Sequence, residues 1–383
     1  MGWYGWEMCW TFLEEEIRGL QRSGVFREPV GAAGEGVGEV DVCSNDYLGY
    51  ARSAVSRETI LGAADAAVGA GASRLIHGTR TQHLALEEAL AHWVHLPAAL
   101  LFTSGFAANL GTISALAGPG DVIFSDALNH ASIIDGCRLS RAHVVVVPHL
   151  DIAALEAAIA RTPRDGRAWV VTETYFSMDG DSPDLPRLRQ ICTNHGALLI
   201  VDEAHALGVF GTEGSGLCSQ ASIQPDVLIG TLGKAIGCQG AFVAAPHLVR
   251  TWLWNRARSL VFSTAPSPLL ATLTLCRVRR AQKDGASRLR LTRLAAYLRQ
   301  RLAEAHVPVA PRSHGPIVPV ILGDNERVVA AAARLARRGF LAQGIRPPTV
   351  PPGTARLRIT VSANLQERHL DELAATLATE CVR

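Results

Sequence analysis

Residues 197–205 read A-L-L-I-V-D-E-A-H, and residues 227–234 read V-L-I-G-T-L-G-K. Each stretch opens as a short apolar run, 197–201 and 227–229, of the kind that forms a strand buried on both faces. Each run ends in reactive side chains: Asp202, Glu203 and His205 after the first, Thr231 and Lys234 after the second. Further apolar runs at 98–102, 122–124, 144–147, 169–171 and 242–244 alternate with Ala- and Leu-rich helical patterns. Fully apolar strands separated by helices predict one large α/β domain, with a mostly parallel seven-stranded sheet covered by helices on both faces. The ligand crevice of such a sheet lies outside the carboxyl ends of its strands, where these side chains fall.

Beyond that domain the pattern changes. Residues 267–305 read as long helices rich in Leu, Ala and Arg, and 317–322 as a strand. Asp324 is placed to cap a helix running through Arg338. Residues 340–345 and 356–361 read as strands around a proline loop, and a last helix starts near Gln366. The expected organisation is an N-terminal helical arm (1–50), a large domain (51–265) and a small α+β C-terminal domain (266–383). In the arm, Trp3, Trp6 and Trp10 fall with Leu13 and Ile17 on one helical face, which is expected to pack onto the main body.

The 383 residues are 48% hydrophobic and 19% charged, which predicts a large buried core and excludes a disordered chain. A net charge of +2 gives no footprint for nucleic acid or membrane. The eight cysteines form no C-x-x-C pair, so metal ribbons and thiol redox motifs are not expected. Reduced thiols and the lack of a basic, then apolar, leader point to a cytoplasmic protein. No apolar run approaches the ~18 residues of a membrane span. The string D-E-A-H at 202–205 prompts comparison with nucleic-acid-dependent ATPases, but no G-x-x-x-x-G-K-[ST] loop is present.

An acid, an imidazole, a hydroxyl and an amine at neighbouring strand ends match the needs of pyridoxal 5'-phosphate chemistry. Lys234 supplies a Schiff-base amine, and Asp202 an acid that keeps the pyridine nitrogen protonated. His205 lies within reach of the ring oxygen, and Thr231 offers a hydroxyl to the phosphate. Taken singly, Asp202 also reads as a helix N-cap and His205 as a core histidine. The junction T-S-G-F-A-A-N at 103–109 places Gly105 and Phe106 where a helix N-terminus offers N–H groups to a phosphate; alone it is an ordinary strand–helix turn. His130, in N-H-A-S at 129–132, can stack on a pyridine face, or be a loop histidine at a helix start. Ser177, in T-E-T-Y-F-S-M-D-G-D at 172–181, is also within reach of the cofactor, and 179–181 is a turn.

These motifs, with S-N-D-Y-L-G at 44–49, S-G-F-A-A-N at 104–109, V-D-E-A-H-A-L-G at 201–208 and T-L-G-K at 231–234, resemble the α-oxoamine synthase family of fold-type I pyridoxal phosphate enzymes. The resemblance covers nearly the whole chain, from about Gly24 to the last helix. It implies Lys234 as the Schiff-base lysine, Asp202 at the pyridine nitrogen, His205 near the ring oxygen and His130 stacked on the ring. It further implies backbone contacts from Gly105 and Phe106, with Ser177 and Thr231 completing the cofactor site. Arg27 and Thr349 look like substrate contacts, and Arg358 like the partner of an amino-acid carboxylate, which a guanidinium binds bidentately.

The stretch I-R-P-P-T-V-P-P-G-T-A-R-L-R at 345–358 resembles members that join L-alanine to a pimeloyl thioester, on coenzyme A or a carrier protein. Family members are homodimers, which implies that Ser263 and Thr264 reach the neighbouring subunit's phosphate. His77 and Gln239 depart from the common pattern and bear on the acyl channel. Members using glycine or another acyl chain, and non-catalytic partner subunits, are the alternatives; Lys234, Asp202 and His130 together argue against the last.

Overall fold

The computed structural model describes residues 10–27 and 39–381. The described residues form two compact units, one of residues 45–293 with 362–364, the other of the described residues up to 44 with 294–361 and 365–381.

The larger unit is built on the seven-stranded sheet. Its strands in chain order are β1 (Ala98–Phe102), β2 (Val122–Asp126), β3 (His143–Val147), β4 (Ala168–Glu173), β5 (Leu198–Asp202), β6 (Val227–Thr231) and β7 (Ala241–Ala245). They lie in the order β1-β7-β6-β5-β4-β2-β3. All neighbours are parallel except β7, which runs antiparallel to both β1 and β6. Every residue of β1, β4 and β7 is buried, including the polar Thr172 and Glu173 that follow the apolar run of β4. Leu100, Ile123, Trp169, Ile200 and Ile229 pack in one core with Ile113 and Ile133 from the helices Gly105–Leu116 and Ala131–Ser140.

Parallel pairing of β4 with β5 sets Glu173 beside Asp202, and pairing of β5 with β6 sets Asp202 beside Ile229. Two carboxylates therefore emerge side by side at the carboxyl edge of the sheet. The connection after β6 is a hairpin into β7. Its return needs Gly237 at φ +65°, where a Cβ would also lie 2.4 Å from the Ala51 nitrogen. Helix Pro268–Lys283 packs on helix Thr81–Trp93 and belongs with this unit.

The smaller unit holds a three-stranded antiparallel sheet in the order Gln343–Ile345, Ala355–Thr360, Ile317–Gly323. The helix Asn325–Arg337 starts where Asp324 accepts a hydrogen bond from the Arg327 nitrogen, as its capping residue predicted. This helix packs so close that a Cβ on Gly344 would sit 2.5 Å from a Val328 methyl. The single strand expected over 340–345 is instead two. Phe340–Leu341 pairs in parallel with Val40–Asp41, while Gln343–Ile345 joins the antiparallel sheet. An apolar reading does not reveal where a chain changes sheets, because both halves are equally compatible with strand geometry.

The helix Thr11–Arg22 forms with its expected amphipathic face, but none of its residues is buried. Trp10, Leu13 and Ile17 are 55%, 40% and 43% exposed, which corrects the expectation that this face is packed away. Trp3 and Trp6 lie outside the described residues. Among the described residues, no helix is long and apolar enough to cross a membrane.

Candidate active site

Lys234 sits in the hairpin between β6 and β7. Its carbonyl accepts from the Gly237 nitrogen at 2.8 Å, and Leu232 and Gly240 close the hairpin below it at 2.9 Å. The side chain turns toward the end of β5, where Nζ lies 2.7 Å from His205 Nε2. The other imidazole nitrogen, Nδ1, is 2.7 Å from the hydroxyl of Tyr47, a fully buried side chain. His205 itself is buried. Between the two reactive ends of the D-E-A-H string, Glu203 turns inward and accepts from the Cys218 nitrogen at 2.7 Å. Burial raises the Glu203 carboxyl to about 7.

Asp202 ends β5 as a buried carboxylate whose oxygens both have donors. Oδ1 accepts from the Ala204 nitrogen at 2.7 Å, and Oδ2 accepts from Asn109 Nδ2 at 2.7 Å. Asn109 also donates to Ser132 Oγ at 3.0 Å, and Ser132 Oγ lies 2.7 Å from His130 Nδ1. The Ser132 nitrogen donates to the same His130 Nδ1, so that atom is an acceptor and the ring's hydrogen rests on Nε2. One polar chain thus ties the acid at the end of β5 to the imidazole at the start of helix Ala131–Ser140. Partial desolvation holds the His130 imidazole below its ordinary range; Lys234 adds to this, against the pull of Asp202.

Glu173, the cross-strand neighbour of Asp202, accepts from the His130 nitrogen at 2.8 Å. Burial, and next the adjacent Asp202 charge, push its carboxyl up to about 8. Folded and unfolded chains are both neutral here below the ordinary value of 4.5, so no penalty exists there. Above it the unfolded chain ionises first, and stability is lost until pH passes about 8. In cofactor-free protein, Glu173→Gln should flatten this loss, which is on the order of a few kcal/mol, because an amide oxygen still accepts from His130 but carries no charge. Thermal melts from about pH 5 to about pH 9 measure it; parallel curves for the two proteins would refute the assignment.

Across the crevice, Ser104 caps helix Gly105–Leu116 by accepting from the Ala107 nitrogen at 3.1 Å. That leaves the helix's first N–H groups, at Gly105 and Phe106, pointing outward with the dipole behind them. A Cβ built on Gly105 would lie 3.9 Å from Thr231 Oγ1, so the helix end and this hydroxyl converge. Ser177 lies half-buried in the turn after β4, which Gly180 closes by donating to the Phe176 carbonyl at 2.9 Å. This donor set fits pyridoxal phosphate: N–H groups and a hydroxyl for an anion, a buried carboxylate for a ring nitrogen, and an amine in contact with an imidazole.

The structure thus brings Lys234, His205, Asp202, His130, Gly105, Phe106, Ser177 and Thr231 to one edge of the larger unit. In the smaller unit, Arg27 Nη2 donates to Thr349 Oγ1 at 2.9 Å, which joins two expected substrate contacts. Arg358 lies buried on strand Ala355–Thr360, with Nη1 donating to Thr360 Oγ1 at 2.9 Å. Ser73 and Thr264 form an isolated antiparallel bridge. His77 closes a π-helical turn, Arg74–Gly78, and is exposed, as is Gln239. Sequence reasoning assigned no role to Tyr47, Asn109, Ser132 or Glu173, although each falls inside a motif. Their positions relative to one another depend on strand register and helix packing, and the only linear signal was polar residues in otherwise apolar surroundings.

Comparison with known proteins gives the same assignment. A family model described as "Aminotransferase class I and II" matches residues 37–377. An 8-amino-7-oxononanoate synthase of Anaeromyxobacter dehalogenans (strain 2CP-1) is 45% identical over 375 residues, covering 95% of this chain and 92% of that protein. One of Geobacter sulfurreducens is 44% identical, covering 95% and 96%. Among solved structures, a serine palmitoyltransferase of Sphingomonas wittichii superposes with a TM-score of 0.89 at 28% identity, covering 97% of this chain and 96% of that one. By this match, the chain belongs to the class I and II aminotransferase family of pyridoxal phosphate enzymes, and within it to the 8-amino-7-oxononanoate synthases.

Proposed function

We propose that this chain condenses L-alanine with a pimeloyl thioester, releasing carbon dioxide and free thiol and forming 8-amino-7-oxononanoate for biotin biosynthesis. The observation that carries the proposal is the 45% identity to a synthase of that name along 95% of the chain. It is supported by Asp202 at the end of β5 and Lys234 in the hairpin after the adjoining β6, an acid and an amine of the kinds the reaction needs. Bound pyridoxal phosphate supplies an electron-withdrawing ring that accepts the electron pair left at the amino acid's α-carbon.

The remaining steps belong to side chains. Lys234 would hold the cofactor covalently and, once released from it, would remove the α-proton as general base. Asp202, its two oxygens held by Asn109 Nδ2 and the Ala204 nitrogen, would hold the proton on the ring nitrogen through a charge-assisted hydrogen bond. With the cofactor bound, His130 would stack on its ring and His205 would lie by its ring oxygen. Gly105, Phe106, Ser177 and Thr231 hold the phosphate end. Arg358 binds the amino-acid carboxylate, and Arg27 with Thr349 contacts substrate. The enzyme works as a cytoplasmic homodimer, with Ser263 and Thr264 reaching the neighbouring subunit's phosphate.

Purified protein loaded with pyridoxal phosphate and given L-alanine with pimeloyl-coenzyme A or pimeloyl-carrier protein should release 8-amino-7-oxononanoate, identified by mass spectrometry. Parallel reactions with glycine or L-serine, and with acetyl or palmitoyl thioesters, should give no comparable product. A preference for any of those pairs would replace the proposal with another member of the family.

A further inference from the structure

We propose that Tyr47 is a positioning residue for the general base: through His205 it presents a lone pair to Lys234 and so raises the proton affinity of that amine. The proposal rests on Lys234 as the lysine that bonds to the cofactor. It concerns the state in which the amine is not so bonded, before cofactor capture and again while the amino acid occupies the cofactor.

The geometry has a direction. Lys234 Nζ lies 2.7 Å from His205 Nε2, His205 Nδ1 lies 2.7 Å from the Tyr47 oxygen, and the Tyr47 hydroxyl donates to Asn45 Oδ1 at 3.4 Å. An ammonium only donates, so a protonated Lys234 requires a bare Nε2. Neutral imidazole then carries its hydrogen on Nδ1 and donates it to the Tyr47 oxygen, whose own hydrogen passes to Asn45. When Lys234 is charged, each of these three contacts has one donor and one acceptor. When Lys234 takes a proton from substrate carbon, the C–H electron pair stays with the substrate and the new N–H meets that lone pair.

With phenylalanine at position 47, the charged state would lose the acceptor that lies 2.7 Å from Nδ1, in a site where His205 is only 5% exposed and Tyr47 is fully buried. The same site with a neutral amine suffers less, because His205 can move its hydrogen to Nε2. Glu173 and His130 also interact electrostatically with Lys234, from the end of β4 and the start of the helix after β2, and Asp202 at the end of β5 acts on both of them. Asp46, next to Tyr47, is engaged by the Tyr50 and Ala51 nitrogens at 2.8 Å and 2.9 Å. Tyr47→Phe alters none of these charges.

The test is the rate at which cofactor-free enzyme captures pyridoxal phosphate, followed by absorbance across pH, since only the unprotonated amine attacks the aldehyde. Tyr47→Phe should move the midpoint of that profile to lower pH by about half a unit to one unit, the size expected from losing one hydrogen bond to the charged state. A lower plateau with an unmoved midpoint would mean a merely structural role and overturn the proposal. Nitrogen NMR of the cofactor-free wild type gives an answer that does not depend on how the variant folds. His205 should show a protonated Nδ1 and a bare Nε2, and the opposite tautomer sinks the idea. If wild type captures no cofactor at Lys234 at all, it is the assignment of that lysine that fails, and borohydride mapping shows this separately.

Discussion

Lys234→Ala should abolish turnover, by at least about 10³-fold, while leaving a folded protein that still binds pyridoxal phosphate non-covalently. The expected loss is large because the proposed mechanism gives a single amine two jobs: anchoring the cofactor and removing the α-proton. Neither neighbour substitutes for it, since His205 already faces the amine and Asp202 has its oxygens engaged. The chain makes the experiment unusually clear. Lys234 and Lys283 are its only two lysines, and Lys283 is the exposed last residue of helix Pro268–Lys283. Borohydride reduction of wild type should therefore attach the cofactor to one peptide, the one carrying residue 234, and the variant should attach none. Undiminished product formation by the variant, or label found at Lys283 in wild type, would remove the basis of the mechanism.

Asp202→Asn should lower turnover by on the order of 10²–10³-fold while the cofactor stays attached to Lys234. Two effects combine. The amide carries no charge to hold a proton on the ring nitrogen. It also offers one acceptor where two donors, the Ala204 nitrogen and Asn109 Nδ2, now point at separate carboxylate oxygens. One of those donors must meet an NH₂ group, which costs about 1–3 kcal/mol in a buried site. The same change withdraws the charge that, after burial, does most to raise Glu173. That carboxyl should then titrate closer to its ordinary range, an effect that carbon NMR of Glu173 can follow. Wild-type turnover in this variant, or no movement of Glu173, would show that the two carboxylates are not coupled as their register implies.

The fold was legible because buried parallel strands write themselves as continuous apolar runs. All seven runs became strands of one sheet, and Asp324 began its helix as its capping role predicted. The cofactor-site candidates were legible where a reactive side chain ended such a run, as at Asp202 and Lys234. Reading failed where an outcome depended on a partner surface. The stripe of Trp10, Leu13 and Ile17 forms on the expected helix but stays exposed, because amphipathicity says that a face is apolar and not what covers it. Residues 340–345 were divided between two sheets, a choice made by neighbouring strands and not by local propensity.

By itself the sequence determined the class of fold, the alternation of strand and helix, and which residue types would stand at the strand ends. Only the tertiary structure decided which of them meet. Parallel register set Glu173 against Asp202, the packing of helix Gly105–Leu116 brought Asn109 to the same carboxylate, and the turn at 45–50 carried Tyr47 to His205. The physical reason is that apolar periodicity is fixed along the chain, whereas hydrogen bonds between residues far apart in sequence exist only once the backbone has been brought together.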